Sequence, residues 1–216
     1  MSEKLNYESH LYAIPTIANV EYGVFIQDTN GKLWKTEEWE VAKWKYSAEP
    51  NAVAVIAKET KFLIALSQQQ LMTLSNSFAT PFEEYMTGTL DKTKAKSDYD
   101  GMGNTERMLL AQPSSDYAAG YCNAFTFPDG KTKGYLPSLG QLNLAYQNKA
   151  AVDAALAACG GTAMNCSTGC YYWSSTFCGY YGIDDCRRCW MFDWGDCDII
   201  ICGLYYVSRV RPFANF

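Results

Sequence analysis

The last 46 residues of the chain contain no Lys, Glu or Gln, although residues 1–170 hold 13 Lys, 11 Glu and 7 Gln. At the frequency found in residues 1–170, about eight would be expected in a segment of that length. A long soluble helix is hard to build without these three residue types, because they are good helix formers that tolerate exposure to water. Residues 171–216 are therefore predicted to form strands and loops. The same segment holds five of the nine Cys and three of the six Trp.

Composition excludes several classes of protein. The 216 residues can bury a sizeable core, and with 48% hydrophobic and 19% charged residues the chain is not of the disordered type. The formal net charge of -5 argues against nucleic acid as the main partner, since nucleic-acid-binding proteins need a basic face. No apolar run is long enough to cross a membrane, so no membrane insertion is expected. The first ten residues, MSEKLNYESH, lack an apolar core, and no signal peptide is predicted.

Local patterns in the first half predict β-hairpins. The segments GVFIQD and KLWKTEEW flank Asn30-Gly31, a dipeptide typical of tight hairpin turns. AVAVIA and KFLIAL flank Lys58-Glu59-Thr60 and predict a second hairpin of two apolar strands. ERMLLAQ predicts a short helix that begins at Asn104 or Thr105.

The second half predicts helices followed by strands. Ser138 is a plausible N-cap of a helix, and the Ala-rich segment AAVDAALAACGG predicts another helix that ends at Gly160-Gly161. YYWSST and YYVSRVRPF both have the aromatic and β-branched composition of strands. No internal repeat or linker is visible, so residues 1–216 are predicted to form one α+β domain, hairpin-rich over 1–100 and with its core over 101–216.

Candidate chemistry is sparse in the sequence. His10 is the single histidine, and there is no phosphate-binding glycine loop or nucleophile motif, so no enzyme activity and no cofactor are expected. The segment 98–104 resembles the start of a calcium loop, but Met102 and Leu109 occupy positions that need oxygen ligands, which favours a polar turn. Arg209 and Arg211 lie two apart and could bind an anion, although a structural role, in salt bridges or in hydrogen bonds to the backbone of neighbouring loops, is the favoured interpretation.

The cysteine spacing leaves a zinc site open as an alternative. The cysteines concerned are Cys166, Cys170, Cys186 and Cys189, whose spacing is close to that of a four-thiolate structural zinc site. Between the two pairs lies YYWSST, which is predicted to be a core strand rather than a zinc-ribbon loop. The favoured interpretation is therefore unrelated thiols, with no metal bound.

Four motifs carry a resemblance to a known family. GYLPSLGQLNLAY, NKAAVDAALAACGGTA, YYWSST and VSRVRPF resemble the C-terminal half of the variable proteins of diversity-generating retroelements, over residues 100–216. The resemblance implies a C-type-lectin-like fold, of the variant shared with formylglycine-generating enzymes. It also implies that Asn codons in the 3′ part of the gene are rewritten at adenines, which never yields Lys, Glu, Gln, Met or Trp. From Phe177 to Ser208 only Trp190, Met191 and Trp194 fall outside the allowed residue types.

The resemblance assigns roles to residues in this segment. It implies an invariant scaffold and a variable, ligand-binding surface within a region of about residues 177–208. The scaffold residues are Trp173, Ser174, Ser175, Trp190, Trp194, Arg209 and Arg211, with Val210 and Pro212 in the same frame. The predicted surface residues are Cys178, Tyr180, Tyr181, Ile183, Asp184, Cys186, Arg187, Arg188, Asp193, Asp196, Asp198, Ile200, Cys202, Leu204 and Tyr205.

The implied function is binding without chemistry. The expected partner is a protein or glycan on a cell surface, recognised by Tyr and small polar side chains. The missing signal peptide favours a phage or prophage protein located at the tail tip or in the cytoplasm before assembly, with bacterial surface display as the other location. The sequence leaves open whether the chain forms a homo-oligomer. The alternatives from other classes are an oxidase of the formylglycine-generating type, which uses a reactive Cys pair with copper, and the zinc-stabilised structural module.

Overall fold

The fold is described here from a computed structural model, over residues 22–75, 81–164, 170–180 and 187–216. The side chains of Gln70, Tyr180 and Arg187 lie outside this description. The helices are α1 (Trp39–Tyr46), α2 (Lys92–Lys96), α3 (Gly101–Ala111), α4 (Ala118–Ala124), α5 (Leu139–Gln147) and α6 (Lys149–Ala158). The strands are β1 (Gly23–Asp28), β2 (Leu33–Trp34), β3 (Pro50–Ile56), β4 (Lys61–Ile64), β5 (Gln69–Met72), β6 (Tyr171–Tyr180), β7 (Arg187–Asp193), β8 (Asp198–Gly203), β9 (Ser208–Val210) and β10 (Phe213–Ala214).

The strands form two five-stranded sheets. The first has the order β10-β4-β3-β1-β2, and all its neighbouring strands are antiparallel. The second has the order β5-β9-β6-β7-β8, in which only the β6–β9 pair is parallel. The predicted α+β class is therefore confirmed. No helix occurs among the described residues of 171–216, as the missing Lys, Glu and Gln predicted.

Both predicted hairpins are present in the first sheet. In the β1–β2 turn, Asp28 Oδ1 accepts hydrogen bonds from the backbone N–H groups of Asn30 and Lys32, each at 2.9 Å, and Gly31 has a φ of +85°. Asp28 Oδ2 accepts from Trp34 Nε1 at 2.9 Å. The prediction that all of KLWKTEEW is a strand is wrong, because only Leu33–Trp34 pair with β1.

The remainder of that segment turns into helix α1. Trp39 and Ala42, three residues apart on one helix face, are fully buried. A helix of this length is stabilised mainly by such packing rather than by its own propensity. The helical spacing of these buried residues therefore outweighs the strand-like pattern of the segment.

Two of the predicted helix ends are confirmed, and one predicted helix start is wrong. Ser138 begins α5 in a capping box with Gln141, and α6 ends before Gly160, whose φ is +68°, so both predictions are confirmed. The predicted start of α3 at Asn104 or Thr105 is wrong. The N-cap is Asp100, whose carboxylate accepts a hydrogen bond from the Gly103 N–H at 3.0 Å.

The final segment YYVSRVRPF is not a single strand. β9 pairs in the second sheet with β5 and β6, whereas β10 pairs with β4 in the first sheet. Pro212 stands between them and has no N–H to donate, so a continuous ladder would be broken there. Its carbonyl accepts a hydrogen bond from the Ala65 N–H at 3.0 Å. The C-terminal residues thus join the two sheets.

Candidate ligand-binding surface

We call residues 177–208 the recognition segment, since the predicted surface residues lie there. Its described part consists of the end of β6, then β7, β8 and the connection from β8 to β9. β8 is an outer strand of the second sheet, and β7 lies between β8 and β6. The predicted surface residues Tyr181, Ile183, Asp184 and Cys186 lie outside the described residues, as do the side chains of Tyr180 and Arg187.

The second sheet is covered by apolar side chains on both faces. Trp190, Phe192 and Ile199 belong to one hydrophobic cluster, which also contains residues of the first sheet and of helices α5 and α6. Cys189 and Met191 belong to a second cluster, built with residues of α3, α4 and the segment 82–86. Side chains along β7 therefore alternate between two cores, rather than between a core and solvent.

Because both faces of the second sheet are buried, several predicted surface residues are not exposed. Cys178, Asp193 and Leu204 are buried, so their side chains are not displayed to a ligand. Ile200 and Cys202 are half-buried and pack against the second cluster. Arg188 is half-buried as well, and its charge lowers the pKa values of the Cys178 and Cys202 thiols, which burial raises more strongly.

Two connections in the described part of the recognition segment are exposed. Asp196 lies in the turn between β7 and β8, and Asp198 is the exposed first residue of β8. Tyr205, Tyr206 and Val207 follow β8 with exposed fractions of 40%, 50% and 57%. The Tyr205 and Tyr206 ring centroids are 4.7 Å apart, and the Tyr205 ring lies directly over Gly203, where a Cβ would be 2.7 Å from the ring. Among the described residues of the recognition segment, the exposed ones thus lie in connections and at the start of β8, not along the strand faces.

Asp193 holds the β7–β8 turn in shape. Its Oδ1 accepts hydrogen bonds from the backbone N–H groups of Gly195 at 2.9 Å and Asp196 at 3.4 Å. Burial, together with the nearby Asp193 carboxylate, raises the pKa of Tyr171. Asp198 remains exposed, and its Oδ1 lies 3.8 Å from Lys92 Nζ. Asp193 therefore supports the turn that presents Asp196 and Asp198.

The predicted scaffold residues lie in the core. Trp173, Ser174, Ser175, Trp190 and Trp194 are all buried. Two indoles bond to parts of the chain about 100 residues earlier, because Trp173 Nε1 donates to Met72 O in β5 and Trp190 Nε1 donates to Thr89 O, each at 2.9 Å. Ser174 Oγ donates to Trp190 O at 2.7 Å and so joins β6 to β7.

Arg211 has a structural role at the junction of the two sheets. Its guanidinium donates to Ala65 O at 2.9 Å, to Gln68 Oε1 at 2.9 Å and to Thr162 O at 2.6 Å. Burial lowers the pKa of Arg211 to about 10. These bonds agree with the interpretation that hydrogen bonds to loops, rather than an anion, occupy this side chain. Arg209 is half-buried in β9.

A polar cleft borders the recognition segment at Thr176 and Phe177. Its volume is about 460 Å³, and its other lining residues are Tyr85, Met86, Thr87, Thr89, Asp98, Asp100, Asn104 and Arg107. Asp98 Oδ2 accepts from Asn104 Nδ2 and Thr176 Oγ1, each at 2.7 Å, and Arg107 donates to Asn104 and Asp100. The 98–104 segment is thus the N-cap and the first turn of α3, whereas only a polar turn was predicted here. Its bond to β6 was missed because no local pattern indicates it.

The cysteines do not act as one set. Cys170 is disulfide-bonded, so it lacks the thiolate that the four-thiolate zinc site would need. Six other described cysteines are free: Cys122, Cys159, Cys178, Cys189, Cys197 and Cys202. Among the described residues no group of three or more His, Cys, Asp or Glu is arranged to hold a metal ion. Cys166, Cys186 and His10 lie outside these residues.

Comparison with known protein families, with curated proteins and with solved structures found no match to this chain. None of the helices formed by the described residues is long and apolar enough to cross a membrane.

Proposed function

We propose that this chain is a ligand-binding protein whose surface is diversified by adenine mutagenesis, as in the variable proteins of diversity-generating retroelements. Its fold would be the C-type-lectin-like fold implied by the motifs of residues 100–216. Its partner would be a protein or glycan on a cell surface, bound by a phage or prophage host-recognition protein. Binding would involve no catalysis.

One observation carries the proposal. Rewritten Asn codons cannot encode Lys, Glu, Gln, Met or Trp, and the recognition segment contains only three such residues. These are Trp190, Met191 and Trp194, which are exposed by just 1%, 2% and 0%. The residues that mutagenesis could not have introduced are therefore core residues that the fold requires. The exposed residues in the described part of the segment all belong to the types that it can introduce.

The composition of the exposed turns supports binding. Tyr205 and Tyr206 offer two adjacent rings, and Tyr provides a large contact area with few rotatable bonds. Asp196 and Asp198 add carboxylates at the other connection of β8. All four side chains are exposed, so replacing them leaves the core intact.

The deciding experiment is genetic. The gene and its flanking DNA would be sequenced from independent isolates and searched for a near-copy of the region encoding residues 171–216, next to a reverse transcriptase gene. We expect differences at adenines of that copy, in codons such as those for Asp196, Asp198, Tyr205 and Tyr206. The codons for Trp190, Met191 and Trp194 should be unchanged.

The codons for residues 22–64 serve as the internal control, because they lie outside the copied region. Substitutions spread evenly over both regions, or differences at bases other than adenine, would refute diversification.

A further inference from the structure

Two free cysteines stand directly opposite each other in the recognition segment. In the antiparallel register of β7 and β8, Cys189 is the partner of Cys202. Directly opposite residues project from the same face of a sheet. The packing agrees, because Cys189 is buried in the second hydrophobic cluster and Cys202 packs against that same cluster.

This register satisfies the geometry of a disulfide. Opposite residues of antiparallel strands have Cα atoms about 4.5–5.5 Å apart. Disulfide-bonded cysteines have Cα atoms about 4.4–6.8 Å apart. The backbone of β7 and β8 therefore needs little movement for the two sulfurs to join.

Cys178 is the nearest competitor for Cys189, but the sheet separates them. Phe177, not Cys178, is opposite Cys189 and shares the second cluster with it. Cys178 belongs to the first cluster, on the other face. Its backbone N–H contacts the Cys189 sulfur and its thiol contributes to the raised pKa of Cys189, so Cys178 is the competitor that a control variant must remove.

The two thiols also differ in access to reagents. Cys189 is fully buried, whereas Cys202 is half-buried on an outer strand. A small oxidant can thus reach Cys202 first, and Cys189 is placed to complete the exchange. Cys170 already forms a disulfide in this structure, so oxidation of thiols is compatible with the fold.

We propose that Cys189 and Cys202 are an oxidation site that forms a disulfide across β7 and β8. With a small-molecule disulfide such as glutathione disulfide, the Cys202 thiolate attacks one sulfur and releases one glutathione thiolate. Cys189, losing its proton to solvent, then attacks the Cys202 sulfur of the mixed disulfide and releases the second glutathione. Two protein thiols and one glutathione disulfide become one protein disulfide and two glutathione thiols. The proposal does not depend on the proposed function.

The bond would fix the outer strand and the turn that it carries. Residues 190–201 would form a closed loop that includes Asp196 and Asp198 and lies immediately before Tyr205 and Tyr206. Cross-linking a loop stabilises the folded state mainly by restricting the unfolded chain. Oxidation would therefore hold one edge of the exposed surface in a single arrangement.

The test is oxidation of the full chain by glutathione disulfide, followed by proteolysis and mass spectrometry without reduction. We expect a cross-linked peptide pair that contains Cys189 and Cys202. The midpoint of thermal unfolding should rise by about 5 °C, since closing a loop of this size stabilises a protein of this length by several degrees. Cys202→Ser should abolish both effects. Cys189→Ser is the less useful variant, because it changes a fully buried site.

Two variants serve as controls. Cys197→Ser removes an exposed thiol and Cys178→Ser removes the competitor, and the cross-link should form in both. Glutathione bound to Cys197 in the unmodified chain shows that the oxidant reacts with an accessible thiol. If Cys197 is fully modified and no Cys189–Cys202 peptide appears, the proposal is wrong. A cross-link between Cys178 and Cys189 would also overturn it.

Discussion

Among single residues, Arg211 shows most directly how one side chain joins distant parts of the chain. Its three hydrogen bonds reach residues 65, 68 and 162, and its neighbour Pro212 marks the point where the chain leaves the second sheet for the first. A buried guanidinium is tolerated because carbonyl and amide oxygens surround it. The sequence pattern alone could not distinguish this role from anion binding.

We expect Arg211→Met to lower the free energy of unfolding by about 3 kcal/mol, because the Ala65 and Thr162 carbonyls lose a donor and Gln68 keeps only its bond from Tyr172. The matched control is Arg209→Met, which alters a half-buried arginine two residues away and should cost less than about 1 kcal/mol. Urea denaturation measures both values. Equal losses in the two variants would contradict the structural role of Arg211.

The buried tryptophans provide a second comparison between residues. Trp190 Nε1 donates a hydrogen bond to Thr89 O, whereas Trp194 Nε1 has no acceptor among the described residues. Trp190→Phe and Trp194→Phe lose similar apolar area, but only the first loses a hydrogen bond. Trp190→Phe should therefore be more destabilising by about 1 kcal/mol. A larger loss for Trp194→Phe in denaturant titrations would rule out this assignment.

At the scale of elements, the β1–β2 hairpin depends on one carboxylate. Asp28 accepts three hydrogen bonds, two from the turn and one from the Trp34 indole. Asp28→Ala should lower the free energy of unfolding by about 2–3 kcal/mol, since the buried Trp34 indole and two part-buried backbone N–H groups lose their acceptor.

Asp91→Ala is the control for the hairpin variant. It removes the N-cap of the exposed five-residue helix α2, which should cost about 1 kcal/mol or less. Chemical denaturation compares the two variants. If Asp91→Ala lowers the free energy of unfolding more than Asp28→Ala does, the hairpin turn is held by other contacts.

Elements were predictable where their ends have local chemical signals. Asn30-Gly31, Ser138 and Gly160 each specify a turn or a helix end from a few residues, and these predictions are confirmed. Helix α1 was missed because Trp39 and Ala42 find their partners only in the folded core. The surface residues were predicted less well, since the second face of β7 is covered by α3 and α4, about 70 or more residues earlier in the chain.

At the scale of the whole molecule, the missing Lys, Glu and Gln have two explanations that stability can separate. If folding excluded these residues, introducing them into the exposed turns would destabilise the protein. If the genetic mechanism excluded them, the turns should accept them. We expect Tyr206→Lys and Asp196→Glu to change the free energy of unfolding by less than about 0.5 kcal/mol.

Met191→Lys is the matched control, because Met191 is buried in the second cluster and an unpaired buried charge is severely destabilising. Thermal unfolding of the three variants gives the comparison. Comparable destabilisation by Tyr206→Lys and Met191→Lys would favour folding as the reason for the missing residues.

The apolar covering on both faces of the second sheet limits how much the chain can vary. A pool of variants altered at buried positions of β7 would consist mostly of molecules that fail to fold, because each change disturbs one of two cores. Variants altered only at Asp196, Asp198, Tyr205, Tyr206 and Val207 would keep a high folded fraction. Within the described part of the recognition segment, tolerated changes would thus cluster at the ends of β8, and the number of distinct surfaces would depend on the length of its connections rather than on strand length.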